Sequence, residues 1–257
     1  MCSSDLALAF GLEGAQVACA ARTAQELEET VQRIGTAGGQ AISLPTDVTD
    51  WAAVRQLVDR TVEAFQTVDV LVNNAGMMGP IGPHEEIDLD RWLQTLDVNV
   101  MGVVRACRAV LPVMRRQRRG KIINLSGGGA FGPMAFGGSA AYGASKAAVA
   151  RFSELLAKEV AGEDIQVNTL MPGLVRTRVS QQGSDEREQV YGQGRGLDWS
   201  RARPPEDAAA LAVWLASDAS DGLTGKHLSV QTPLPQTPDE IQAVMAGSQY
   251  TMRLVQR

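Results

Sequence analysis

Apolar runs of strand length alternate with helix-period segments along most of this chain, and that alternation constrains its fold more than any other feature. Strands flanked by helices in sequence bury both faces when successive βα units wind over a parallel sheet, so the pattern predicts an α/β protein. Strands are expected over residues 16–20, 41–44, 68–72, 122–125, 166–170 and 228–230. One helix should open at Thr23 with Glu26 three residues on, the spacing of a capping box. A second should follow Thr49 or Asp50 and bury Val54, Leu57, Val58, Val62 and Phe65. Longer helices are expected over 89–116, with Pro112 kinking its end, and over 141–160, and a shorter one over 206–216. The polar stretch 177–203 reads as an irregular lid over a substrate, and 231–257 as a C-terminal tail without strong period. No repeat or linker interrupts the pattern, so residues 1–257 are expected to form a single domain.

Charge and cysteine usage narrow the class. Lys and Arg number 24 against 29 Asp and Glu, a net charge of −5, which argues against binding nucleic acid through bulk charge. The basic run Arg115, Arg116, Arg118, Arg119 and Lys121 reads as a solvated helix C-terminus whose cations complement the helix dipole. No apolar run is long enough to span a bilayer, and the first ten residues carry Asp5 in place of a basic leader. A cytoplasmic protein with no membrane association is expected. Cys2, Cys19 and Cys107 lack metal-ligand spacing and His84 and His227 form no cluster, so no metal is expected.

Two features carry chemistry. Tyr142 and Lys146 are four apart near the start of a predicted helix, so both side chains project from one face. A phenol has an ordinary pKa of about 10, and an adjacent ammonium favours its ionised form, making it a usable acid or base. The pair follows a strand and a Gly/Ser-rich connection, beyond the strand C-termini where parallel sheets place their ligands. The second feature is Asn73-Asn74-Ala75-Gly76 at a strand end, where small residues admit a close ligand and amides tie neighbouring strands.

Together with Asn99 in Asp97-Val98-Asn99-Val100 and with Pro172-Gly173, these motifs closely resemble the short-chain dehydrogenase/reductase family over residues 7–232. The resemblance implies a Rossmann-like doubly wound parallel sheet and an oxidoreductase that transfers hydride between a nicotinamide nucleotide and a ketone or other carbonyl. Tyr142 would be the proton donor, Lys146 would hold the nicotinamide ribose and lower the phenol's pKa, and Asn99 would position a water that relays protons to Lys146. Asp47 and Val48 would contact adenine, Asn74, Ala75 and Gly76 would line the cofactor's path, and Pro172, Gly173, Val175 and Thr177 would wrap the nicotinamide. Where an acidic residue would hydrogen-bond a free ribose hydroxyl, this chain has Ala21 followed by Arg22; a guanidinium suits a phosphate, so NADP(H) is expected over NAD(H). A homodimer or homotetramer through the two long helices is implied. The competing readings are alcohol oxidation by the same residues and a noncatalytic nucleotide-binding or oligomeric scaffold.

The chain departs from the family pattern in two places. The family's serine, about thirteen residues before the tyrosine, falls on Gly129, or on Gly127 when counted from the strand end. Ser126 is then the expected hydroxyl for steadying the substrate carbonyl, with Ser139 second. The family's opening strand and Gly-rich phosphate loop also find no counterpart. Leu6 to Leu12 and Gly14 read as the end of the first family helix, which suggests a gene product truncated at its N-terminus. Without that strand the next two should lose their neighbour in the sheet and leave exposed edges.

Overall fold

The computed structural model describes residues 3–130 and 137–251. The last residues of the predicted tail, 252–257, and the middle of the Gly-rich connection, 131–136, lie outside the described residues. Among the described residues, six strands form two parallel sheets. Strand β1 (Gln16–Ala21) pairs with β2 (Gln40–Pro45), and a four-stranded sheet runs in the order β3 (Val70–Asn73), β4 (Gly120–Leu125), β5 (Ile165–Met171), β6 (His227–Ser229). Among the described residues no ladder joins β1 to β3.

Alternation along β4 shows how the sheet gets a core on each face. Ile122 points into a cluster with Val110 and Met114 of α5 (Gly102–Gln117) and Val149, Leu156 and Val160 at α6 (Ala140–Glu159). Its neighbour Ile123 points into the opposite cluster, with Leu170, Leu228, and Leu211 and Leu215 of α8 (Pro205–Ala216). Helix α1 (Ser3–Leu12) couples the two sheets. Leu6 enters the α8 cluster, while Ala7 and Leu8 pack on the small core of Cys19, Leu27 and Ile34 beneath β1 and α2 (Ala24–Thr36). The approach of α1 to α2 is close enough that a Cβ on Gly11 would stand 2.7 Å from Ile34.

Several local expectations change on contact with tertiary structure. Thr23 caps α2 without a side-chain bond, and Glu26 instead pairs with Arg178 at 2.8 Å. Asp50 is the cap of α3 (Trp51–Phe65), its carboxylate accepting from Ala52 N. The predicted helix 89–116 is interrupted: α4 (Leu89–Leu96) passes through one π-helical turn, Asp97–Met101, before α5, and Pro112 lies inside α5. Part of the predicted irregular lid is helix α7 (Arg178–Tyr191), opened by a capping box between Thr177 and Ser180. The tail contains α9 (Pro238–Ala246), whose Ile241 and Val244 join the α8 cluster. The Lys226 ammonium donates to the carbonyls of Val244, Gly247 and Gln249, anchoring the end of α9 beside β6 as a cation suits a helix C-terminus. No helix among the described residues is long and apolar enough to cross a membrane.

Candidate active site

The C-terminal ends of β3 and β4, the π turn and the first two turns of α6 converge on one place. Asn73 and Asn124 are register partners on β3 and β4, and the Asn73 amide donates to Asn124 Oδ1 at 2.8 Å. Asn124 in turn donates to Ser153 on α6 at 2.8 Å. These amides tie strand to strand and sheet to helix, as the sequence suggests for Asn73, and fix the strand ends beneath the site.

Asn99 lies in the π turn that breaks α4 from α5. It is fully buried; its amide donates to the Met77 carbonyl and to Ser145 Oγ, both at 2.9 Å, and its Oδ1 accepts from Met77 N at 2.8 Å. This two-way bond to the backbone beyond β3 accompanies the widened π turn, an irregularity often found at functional sites. The same oxygen borders Gly76: a Cβ there would stand 3.3 Å from Asn99 Oδ1 and 3.4 Å from Lys146 Nζ.

On α6, Lys146 lies one turn beyond Tyr142, with its ammonium 5.8 Å from the ring centroid. The ammonium donates to the Leu125 carbonyl at the tip of β4, 3.0 Å away. Both side chains therefore face the carboxyl edge of the sheet. Their ionisation differs from the sequence expectation. Packing around the half-buried tyrosine pushes its phenol up to about 12, and burial pulls Lys146 down to about 8, so in the free site desolvation outweighs any attraction between phenolate and ammonium.

The structure turns Ser126 away from this pair. Its hydroxyl lies 3.5 Å from the Leu170 carbonyl and 3.4 Å from His227 Nδ1, toward β5 and β6. Gly127 takes the place beside the phenol, and a Cβ on it would overlap the Tyr142 hydroxyl. Ser126, the hydroxyl expected at the substrate carbonyl, is thus bonded toward β5 and β6, while Gly127 lies beside the phenol. Ser139, the N-cap of α6, is buried.

Arg22, Asp47 and Val48 come together at the ends of β1 and β2. Hydrogen bonds from Thr49 hold the Asp47 carboxyl below its usual range, with Arg22 and Arg105 adding attraction. Val48 packs so near α5 that a Cβ on Gly102 would stand 2.9 Å from it. After β5, Gly173 adopts φ +72° behind Pro172, Val175 forms a parallel bridge with Arg203, and Thr177 caps α7.

Sequence reasoning misses how α7 is held in place. Arg91 on α4 grips both oxygens of Glu186, which also accepts from Ile81 N at 3.3 Å. Gly183 sits against Met78, Arg187 donates to the Gly137 carbonyl at 2.6 Å, and Gly138 lies against Tyr191. A polar helix whose buried residues are Gly183 and Ser184 presents no apolar stripe to read in the sequence.

The residues at hand fit the nicotinamide half of a dinucleotide. Lys146 has donors beyond the one given to Leu125, Asn99 Oδ1 and the ammonium border the glycine at the strand end, and the turn at Gly173 brings the backbone close. For the pyrophosphate, among the described residues no glycine-rich turn opens a helix: Gly11 and Gly14 lie at the C-terminal end of α1.

Residues 3–232 match the family described as enoyl-(acyl carrier protein) reductase. The chain is 36% identical over 227 residues to 3beta-hydroxysteroid dehydrogenase 1 of Eggerthella lenta, covering 88% of this chain and 86% of that protein. It is 31% identical over 224 residues to the 3-oxoacyl-(acyl-carrier-protein) reductase of Thermotoga maritima, covering 87% and 89%. Among solved structures it is similar to a single-site variant of actinorhodin polyketide ketoreductase with NADPH, with a TM-score of 0.82, 28% identity and coverage of 88% and 90%. It is also similar to NAD+-bound xylitol dehydrogenase, with a TM-score of 0.79, 28% identity and coverage of 88% and 94%.

Proposed function

The chain belongs to the short-chain dehydrogenase/reductase family, and from that premise we propose that it is an NADP(H)-dependent oxidoreductase reducing a ketone or other carbonyl to an alcohol, with Tyr142 as proton donor. The observation that carries this reading is the Tyr142–Lys146 pair, one turn apart on α6, with the ammonium anchored on Leu125 at the strand tip.

The nicotinamide, when bound, supplies hydride to the carbonyl carbon. As charge develops on the carbonyl oxygen, Tyr142 gives it a proton; a phenol held at about 12 is fully protonated at neutral pH and is still a stronger acid than the alcohol being formed. Lys146 supports the resulting phenolate and donates to the nicotinamide ribose hydroxyls. Asn99, held to Met77, positions a water that returns a proton toward Lys146. Asn74, Ala75 and Gly76 line the cofactor's path, Pro172, Gly173, Val175 and Thr177 wrap its nicotinamide end, and Asp47 and Val48 contact adenine. Arg22 receives the ribose phosphate that distinguishes NADP(H).

The segment 177–203 acts as the substrate lid. Its contacts with Met78, Gly137 and Gly138, in the segments that lead into the Asn99 and Tyr142 elements, support this role. Exposed Leu89 and Leu93 on α4, Met101 in the π turn and Leu155 on α6 favour a homodimer or homotetramer through the helices that carry them. A cytoplasmic setting accords with this chemistry.

Gly127 beside the phenol favours a second reading, a noncatalytic nucleotide-binding or oligomeric scaffold, because that position offers no hydroxyl to the substrate. The two separate in one assay: NADPH oxidation by the full chain with a panel of diketones and 3-oxoacyl thioesters, beside Tyr142→Phe. Turnover abolished in the variant is the expected result, and no turnover in either protein favours the scaffold. The same enzyme assayed with alcohols and NADP+ reports the oxidative direction.

A further inference from the structure

The ion pair between Arg178 and Glu26 connects two parts of the molecule that, among the described residues, share no strand ladder. Glu26 lies in the first turn of α2, just beyond β1 and Arg22, whereas Arg178 is the first residue of α7, next to its cap Thr177 and beyond β5. Nη2 of the arginine meets Oε1 of the glutamate at 2.8 Å. The two side chains are 71% and 47% exposed, so the pair adds little to stability and yields readily to a stronger partner.

The polar groups around Arg178 are committed elsewhere. The N–H groups of Thr177 and Ser180, which open α7, donate to each other's hydroxyls. Arg176 stacks on Trp199 at 4.8 Å from the ring centroid, Arg187 donates to the Gly137 carbonyl, and Arg203 is held by Asp207. Arg178 reaches across to α2 instead.

That reach matters for a dinucleotide. In the reading above its adenosine end belongs with Arg22, Asp47 and Val48 at the ends of β1 and β2, and its nicotinamide end with Lys146 and Gly173. The pyrophosphate links the two ends, and its negative charges need a cation or a row of N–H donors. Among the described residues no glycine-rich turn opens a helix to supply such a row. The Arg178–Glu26 pair crosses the same interval, from the helix that follows Arg22 to the helix that follows Gly173 and Thr177.

We propose that Arg178 is a cofactor-binding residue whose guanidinium leaves Glu26 and takes the pyrophosphate of the nicotinamide nucleotide. A guanidinium offers parallel donors to phosphate oxygens, and a diphosphate brings more charge to them than one exposed carboxylate. Glu26 competes with the ligand: it holds Arg178 in the free protein and repels the phosphates as they arrive. Arg178 thereby binds the part that NADPH and NADH share, and Arg22 the part in which they differ.

This inference rests on the nicotinamide-cofactor reading, and the test separates the two. The full-length parent, Arg178→Gln, Arg178→Lys and Glu26→Gln are titrated by fluorescence with NADPH and NADH, and with ADP-ribose by displacement of NADPH; Tm is measured for each. ADP-ribose keeps the pyrophosphate and lacks the nicotinamide. Arg178→Gln is expected to weaken all three ligands about tenfold with Tm unchanged, and the loss should shrink at high salt. Arg178→Lys, which keeps the charge without the fork, should recover part of the affinity. Glu26→Gln should tighten all three about two- to threefold. A loss confined to NADPH would put Arg178 at the ribose phosphate, and a loss that spares ADP-ribose would put it at the nicotinamide; either overturns the assignment, as does unchanged affinity for all three. Weaker binding in Glu26→Gln also overturns it, because the pair would then act as a structural tie. If the parent binds neither NADPH nor NADH, the nicotinamide-cofactor reading itself fails and this inference goes with it.

Discussion

Arg91 on α4 and Glu186 on α7, 95 positions apart, form a two-point ion pair: Nη1 meets Oε1 at 2.8 Å and Nη2 meets Oε2 at 3.0 Å. Parallel contacts of this kind fix orientation as well as distance. The pair joins the helix leading into the Asn99 turn to α7, and Glu186 also accepts from Ile81 N in the loop that precedes α4. Both side chains keep some solvent contact, 44% and 26%, so the pair contributes about 1 kcal/mol or less to global stability.

Its effect should be local. Glu186→Gln is expected to leave Tm nearly unchanged while speeding amide hydrogen exchange across residues 178–191 about three- to tenfold and raising KM for the carbonyl substrate more than it lowers kcat. Exchange in 178–191 indistinguishable from the parent would show that α7 is held by its contacts with Met78 and Gly138 alone.

Tyr142 and Lys146 give opposite pH responses in the two reaction directions. Reduction consumes a phenolic proton, available until about pH 12, but draws on the Lys146 charge, which is lost above about pH 8. Reductive kcat/KM should therefore be level through neutrality and fall above about pH 8. Oxidation needs the phenolate and should rise through the alkaline range. Lys146→Arg keeps the cation at all accessible pH values, so its residual reductive activity should lack the break near 8. Pre-steady-state pH profiles of parent and variant check this, and a break that survives in Lys146→Arg assigns it to another group.

His227 links β6 to acid stability. Its Nδ1 lies 2.7 Å from Thr169 Oγ1 and 3.4 Å from Ser126 Oγ, and the small cavity at its side is also lined by Glu154 and Lys226. Burial pulls the imidazole down to about 3 from an ordinary value near 6.5. Between those values the unfolded chain binds a proton that the folded chain refuses, so the unfolded state is favoured progressively as pH falls from 6.5 toward 3. The loss is on the order of 5 kcal/mol across that window. Urea unfolding of His227→Asn at stepped pH should show a shallower decline than the parent, by close to one proton. Equal slopes would place the acid sensitivity in the carboxylates.

Much of this architecture is legible in sequence because strands and helices differ in period. The adjacent Ile122 and Ile123 serve opposite cores, and Tyr142 and Lys146 share a helical face by spacing alone. What is not legible depends on contacts between distant segments. The interruption at Asp97–Met101 comes with Asn99 bonding to Met77, twenty-two residues upstream, so Pro112 is a misleading sign of the break. Helix α7 hides because glycine and serine form its buried side. The choice between Ser126 and Gly127 turns on one step along the chain beyond β4, and a one-residue step reverses the direction of a side chain.

Cofactor choice offers the remaining test. Arg22 is exposed just beyond β1 and attracts the Asp47 carboxylate, so two opposite charges stand at the ends of β1 and β2. A ribose phosphate placed there would gain the guanidinium and meet some repulsion from Asp47, whereas a free ribose hydroxyl would gain little from Arg22. Replacing Arg22 with Asp leaves two carboxylates in the same place, which disfavours a phosphate and offers an acceptor to the hydroxyl. Arg22→Asp should therefore weaken NADPH binding about tenfold or more and leave NADH binding equal or tighter, with the NADPH loss shrinking at high salt as exposed charges are screened. Fluorescence titrations of both cofactors at two ionic strengths measure this. An unchanged NADPH-to-NADH ratio would remove Arg22 from the phosphate site.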